Sequence, residues 1–338
     1  MFRTALISMF LTSAAFAETW TVDDDGKADF DNIQAAVDAA SDGDEIVVMP
    51  GTYTSSQDGH VVNMLGKAVT LRSSDPSDPD VVAATIIDGE GARRGLACFN
   101  GESSKTIISG FTITNGFGVE FDYNGDGDLD WREDYGGGMY NYYSTPTLTG
   151  CTFENNTANY AGGMYNNNSS PTLENCIFEN NTATYQGGGM YNYNSSPTLT
   201  YCTFDSNTAV SGGGMFNYNS SSPTLTDCTF TDNSAAYGGG MWNHYGYSNP
   251  TLTDTVVCGN SPDQIWGDWI DNGGNTVADE CPIDCPDLDG DGEVKVADLL
   301  ILLAAWGPCD GCAADIDGDG EVKVADLLLL IGAWGPCE

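Results

Sequence analysis

The chain has 338 residues and a formal net charge of −39, from 49 acidic against 10 basic residues. A field of that sign repels polyanions and excludes nucleic acid and anionic membrane surfaces as partners. Yet 41% of the residues are hydrophobic, so a core can form, and 42 glycines among abundant Asn, Thr, Ser and Tyr indicate a β-rich, turn-rich chain of two domains.

Residues 1–17 set one base, Arg3, before a short apolar stretch that ends in Ala15-Phe16-Ala17, the pattern of a cleaved signal peptide. The stretch is too short for a hydrocarbon core that needs about twenty residues. The mature chain is expected to be secreted or held at a cell surface, with no transmembrane segment. In such an oxidising compartment its 11 cysteines can form disulfides.

Ile33–Ala40 carries helical periodicity, and Ile46–Met49 reads as a buried strand before a Pro50-Gly51 turn. Farther on, Asp122, Asn124, Asp126, Asp128, Asp130 and Glu133 occupy the alternating positions of a twelve-residue EF-hand loop, with Gly127 at the sharp turn. Asp128 would offer its backbone carbonyl and Asp130 a bridging water. A hard cation needs this ring of oxygens, so calcium is expected in a loop inserted at 122–133.

A repeat fills the middle. Met139, Met164, Met190, Met215 and Met241 recur at spacings of 25, 26, 25 and 26. Cys151, Cys176, Cys202 and Cys228 form a second column, Phe153, Phe178, Phe204 and Phe230 a third, and Asn156, Asn181, Asn207 and Asn233 a fourth. A unit of this size cannot bury its own apolar face, so the repeat predicts a solenoid. Three short strands joined by Gly, Asn and Ser turns would make one coil of a β-helix, with rungs about 4.8 Å apart.

Alternation along a strand assigns the faces. With the methionines inward, Asn141, Asn166, Asn192, Asn217 and Asn243 also point inward, as a self-satisfying amide ladder. Tyr140, Tyr165, Tyr191, Phe216 and Trp242 then point outward as an exposed aromatic stripe. It either stabilises the sheet or offers a platform to a sugar or another apolar partner. The cysteine column is expected to be buried thiols, because stacked side chains run parallel rather than toward each other.

The opening TVDDDGKADFDNIQAAVDAASDGDEIVVMPGTY and the later Ile108–Gly116 stretch resemble the pectate lyase-like right-handed β-helix superfamily, and the repeats resemble those of polymorphic outer-membrane adhesins. The resemblance implies an all-β right-handed parallel β-helix over 18–284, its open end capped by the Ile33–Ala40 helix.

In the tail, 287–298 and 315–326 are near-identical acidic loops, each running into an apolar helix that stops at Gly-Pro-Cys. This duplicated loop–helix resembles a type I dockerin over 285–338. The resemblance implies that Asp287, Asp289, Asp291 and Asp298 ligate one calcium ion and Asp315, Asp317, Asp319 and Asp326 another, with carbonyls from Glu293 and Glu321, so the chain would hold about three ions. Lys295 and Lys323 depart from the usual Asn/Asp at position 9, which argues for modest affinity. The implied partner is a cohesin-like protein, met at Val296-Ala297 and Val324-Ala325. Cys285 and Cys309 bracket the first copy and Cys312 and Cys337 the second, so disulfides are expected at those two pairs.

No catalytic constellation stands out. Arg93-Arg94 is explained by a tight turn, His60 and His244 are isolated, and Glu154, Glu179 and Asp205 are the in-register copies that duplication produces. The reading is a secreted, calcium-binding, non-catalytic β-helix that binds polysaccharide or a cell surface. A polysaccharide lyase or glycosidase carried by a dockerin, and a structural envelope protein, are the alternatives.

Overall fold

The structure is a computed structural model that describes residues 17–55, 59–118, 135–281, 286–309, 312–316 and 320–336. The signal-peptide stretch 1–16 and the loop at 122–133 lie outside the described residues. Two compact units divide between residues 280 and 281.

The first unit is a parallel β-solenoid walled by sheets of ten, eight and nine strands. Each repeat gives one strand to each wall. Thr147–Thr149, Thr172–Glu174, Thr198–Thr200, Thr224–Thr226 and Thr251–Thr253 build a leucine wall. Thr152–Glu154, Ile177–Glu179, Thr203–Asp205 and Thr229–Thr231 build a phenylalanine wall. Met139–Tyr142, Met164–Asn167, Met190–Tyr193, Met215–Tyr218 and Met241–Asn243 build a methionine wall.

Registers are those of the repeat: Met139 pairs with Met164, Met190 follows, and Phe153 pairs with Phe178. Leu148, Leu173, Leu199 and Leu225 point into the interior with the methionines and phenylalanines, all fully buried. The phenylalanine rings stack at 4.9, 4.7 and 4.5 Å, nearly parallel.

Corners follow from residue type. Between the leucine and phenylalanine walls, Gly150, Asn175, Tyr201, Asp227 and Asp254 take left-handed conformations with φ of 58, 51, 54, 51 and 48°. Asn, Asp and Gly tolerate this region best, which explains the repeat's enrichment in them. The paired glycines ahead of each methionine answer a different demand, since a Cβ on Gly189 would lie 2.6 Å from the Gly214 carbonyl oxygen of the next coil.

Buried amides hold the coils together. The side-chain N–H of Asn141 donates to Asn166 Oδ1 at 2.8 Å, and the ladder continues through Asn192, Asn217 and Asn243 at 2.9 Å per step. A second ladder links Asn156, Asn181, Asn207, Asn233 and Asn260 at 2.8–3.0 Å. Each carboxamide saturates its neighbour, so full burial leaves few orphans.

Helix α1 (Ile33–Ala39) is N-capped by Asn32, whose side chain accepts from Ala35 N–H at 2.8 Å. Its Ile33, Ala36 and Val37 join the interior core with Ile46 and Val48 of the strand Glu45–Val48. A short helix α2 (Pro79–Ala84), absent from the sequence reading, meets the phenylalanine wall, where Thr112 Oγ1 donates to Val82 O at 3.1 Å.

The second unit is a cross-braced pair of loop–helix repeats with helices α3 (Val296–Ala304) and α4 (Val324–Gly332). Glu293–Val294 pairs antiparallel with Gly335–Pro336, and Gly307–Pro308 with Glu321–Val322, so each repeat's strand closes on the other's exit. Val294, Leu302, Ala314, Val322 and Leu330 make its core.

The cysteine column is free and buried, as expected. Burial pushes the Cys151 thiol up to about 11, and its hydrogen bond with Cys176 takes Cys202 up to about 12. The disulfide expectation is corrected at both pairs: Cys309 bonds Cys312, so neither Cys285–Cys309 nor Cys312–Cys337 forms. The two lie 5.7 Å apart at Cα in the turn between the repeats, within the span a disulfide bridges.

Candidate functional site

Tyr140, Tyr165, Tyr191, Phe216 and Trp242 do face away from the solenoid interior, but the expected exposure is not found. Tyr140 is 2% exposed, Tyr165 4%, Tyr191 6% and Phe216 2%. Alternation tells which side of a sheet a residue occupies and says nothing of what covers it. Here the cover is aromatic: Tyr142, Tyr193 and Tyr218 lie along one side of the stripe and Tyr135 and Tyr160 along the other, making a second apolar cluster outside the solenoid. The loss of solvent pushes the Tyr165 and Tyr191 phenols up.

The rings also use their faces on one another. Phe216 and Trp242 stack at 4.2 Å and 6°, and Tyr218 and His244 at 4.5 Å and 21°. From Tyr140 to Phe216 successive rings pack edge-to-face, at 5.4, 4.9 and 4.8 Å, so they spend their faces on one another rather than on solvent. Trp266, a sixth member in register with Trp242, escaped the sequence reading because no Gly-Gly-Met phrase precedes it. Its spacing of 24 from Trp242 was the available signal.

In the second unit, carboxylate oxygens of Asp287, Asp289 and Asp291 all lie within 4.8 Å of one another. Backbone N–H groups of Gly290 and Gly292 donate to Asp287 at 2.8 and 2.6 Å and fold the loop inward. Partial desolvation, then the charges of Asp291, Asp298 and Asp287, raise the Asp289 carboxyl. Three converging hard oxygen donors suit calcium.

Asp298, at the closing position, is fully buried and accepts from Leu288 N–H and Lys295 N–H, both at 2.7 Å. It therefore fixes the start of α3 as well as facing the loop. Lys295 Nζ lies 2.6 Å from Glu293 and 3.2 Å from Asp291, supplying a cation beside the cluster. In the second loop, Asp326 repeats the buried role, accepting from Ile316 and Lys323 N–H at 2.7 and 2.8 Å, and Asp315 accepts from Gly320 N–H at 2.8 Å. Asp317 and Asp319 lie outside the described residues, and the strand Glu321–Val322 leads into α4.

Val296 and Val324, at the first turns of α3 and α4, are 59% and 58% exposed, with Ala297 exposed and Ala325 half-buried. Leu300 and Leu328, one turn on, are also exposed and were missed, although they stand four residues from the valines in each copy.

Glu154, Glu179 and Asp205 align in register on the outer phenylalanine wall. Glu179 accepts from the Asn180 amide at 2.9 Å and Asp205 from Thr231 Oγ1 at 2.6 Å. Burial first and the Arg94 charge second press the His60 imidazole down to about 4.

Residues 94–257 match the family described as right handed beta helix region, and residues 286–333 match the dockerin type I domain. No curated protein matches the sequence. Among solved structures, a pectin methylesterase from carrot is 12% identical, covering 79% of this chain and 85% of its own, with a TM-score of 0.49. The pectate lyase Pel9A is 16% identical over 77% of this chain and 67% of its own, with a TM-score of 0.46. A pectin methylesterase from Aspergillus niger is 12% identical, with coverages of 79% and 87% and a TM-score of 0.39. At such identities nothing about activity follows.

The chain is thus a right-handed parallel β-helix with a C-terminal type I dockerin module. Modules of that class bind calcium and dock to cohesins. Among the described residues no helix is long and apolar enough to cross a membrane.

Proposed function

We propose that this is an exported, non-catalytic β-helix that presents its long outer surface to polysaccharide or a cell surface and is anchored to a cohesin-like protein through its calcium-loaded tail. The duplicated loop–helix module carries the reading. Its two copies offer matched apolar pairs, Val296 with Leu300 and Val324 with Leu328, beside acidic loops that a cation would order. An exposed apolar pair on a rigid helix is a docking surface rather than a core. Ala297 and Ala325 follow the valines and keep the approach open for a partner backbone. The loop at 122–133 would hold a further calcium ion beside the coils.

The full-length chain, saturated with calcium, should bind a type I cohesin in a calorimetric titration and lose that binding in chelator. It should also be retained by polysaccharide without releasing product. Appearance of unsaturated or reducing ends would replace this reading with an enzyme. Indifference to cohesin would reduce the tail to a structural cap.

A further inference from the structure

We infer that the C-terminal end of the aromatic stripe is a binding site for an uncharged pyranose, one sugar unit of a neutral glycan. This rests on the polysaccharide reading above and gives it a place and a chemistry. The stripe is at most 6% exposed from Tyr140 to Phe216, half-buried at Trp242, and 47% exposed at Trp266. The physical reason is that Ile265–Trp266 is the last strand of the methionine wall. Every earlier outward ring has a coil on both sides, whereas Trp266 has Trp242 on one side and, among the described residues, no strand on the other.

Neighbouring rings enlarge the opening. Tyr237, 53% exposed, meets Trp266 edge-on at 6.0 Å, while His244 lies 6.1 Å from Trp242 and 5.1 Å from Tyr247, itself 64% exposed. Five rings thus adjoin over the final coils, and His244 Nδ1 among them has no hydrogen-bond partner. The exposed Tyr201 stands on another corner, between the leucine and phenylalanine walls.

Charge selects the occupant. From residue 134 to residue 294 there is no Lys or Arg, so nothing on these coils can neutralise a uronate, and exposed Asp268 stands two residues from Trp266. A neutral pyranose meets no such penalty. Its apolar C–H face matches the electron-rich face of the exposed Trp266 ring, and its hydroxyls suit the carboxylate, phenol and imidazole groups around it. The sugar takes the place that the ring of a further coil would have filled.

The test uses the full-length, calcium-saturated protein in affinity electrophoresis against xylan, mannan, mixed-linkage β-glucan and polygalacturonate. At least one neutral glycan should retain it and polygalacturonate should not. Trp266→Ala and Tyr247→Ala should each weaken retention about tenfold, as loss of a central aromatic contact does. Trp266→Phe should restore most of it, and Tyr201→Ala should change nothing. Circular dichroism on each variant separates lost contact from lost fold.

Wild-type retention that survives Trp266→Ala overturns this placement and leaves the polysaccharide reading standing. Wild type retained by no glycan overturns both. Preference for polygalacturonate overturns the charge argument. Self-association abolished by Trp266→Ala in sedimentation, without glycan retention, would assign the rings to a second copy of the chain instead.

Discussion

The asparagine ladder of the methionine wall makes a quantitative prediction, because its middle and its end are wired differently. Asn192 both accepts from Asn166 and donates to Asn217, at 2.9 Å each, and all three side chains are fully buried. Asn192→Ala orphans the Asn166 N–H and the Asn217 oxygen together. A buried orphan costs about 1–3 kcal/mol, so the variant should lose about 2–6 kcal/mol. Asn141 has only the donor half, since its Oδ1 has no partner. Asn141→Ala orphans the Asn166 oxygen but removes an existing orphan, for a net change of about 0–2 kcal/mol. The residue in register below Asn141 is Cys98, so Cys98→Asn would pair the Asn141 oxygen and move the orphan to its own, for a net change near zero. Denaturant unfolding of the calcium-saturated chain, followed by the far-ultraviolet sheet signal, reads these as shifts in midpoint at constant slope. Equal losses at positions 141 and 192 would refute the wiring.

Three further predictions concern charge, metal and contact. His60 titrates at about 4 in the folded chain against an ordinary 6.5, so as pH falls through that window the unfolded state gains a proton that the folded state refuses. Up to about 3 kcal/mol of stability should drain away between those pH values and level off below, and His60→Gln should flatten that part of the stability–pH curve. Chelating calcium should abolish a calorimetric transition of the tail while the solenoid transition stays put, and one metal-independent transition would contradict the loop assignment. Gly189→Ala should cost about 1–3 kcal/mol by forcing a methyl against the Gly214 carbonyl, and an unchanged midpoint would show that the coils can part without penalty.

Much of the solenoid was legible because duplication writes the interior in columns. Met139 and its successors, the Phe153 column and the two asparagine ladders each recur at the coil spacing, and in-register stacking is what a fixed period means physically. Burial of Tyr165 and Tyr191 was not legible, because it depends on Tyr160 and its neighbours approaching from a corner, a contact that no periodicity encodes. The same limit hid α2, which packs against a wall through a bond from Thr112, 30 residues away in the chain. The disulfide failed for a related reason: symmetric spacing of Cys285, Cys309, Cys312 and Cys337 is a statement about sequence, whereas bond formation follows proximity across one turn. Asp298 and Asp326 were placed as ligands, but their second task, fixing the helix start, emerged only with the backbone N–H groups around them.

The corner after the methionine wall has a consequence for how such a molecule can change. Between the ladder asparagine and the buried serine that follows it there are two residues at Asn141–Ser144, Asn166–Ser169 and Asn192–Ser195, three at Asn217–Ser221 and four at Asn243–Ser248. Through all of these the backbone N–H of each serine, from Ser144 to Ser221, still donates to the next serine's hydroxyl, so the insertions never shift the frame of the walls. Tyr245 and Tyr247 are contributed by the longest of these insertions. A lineage can therefore rewrite its outermost rings by adding or deleting corner residues one at a time, while selection on the interior sees no difference.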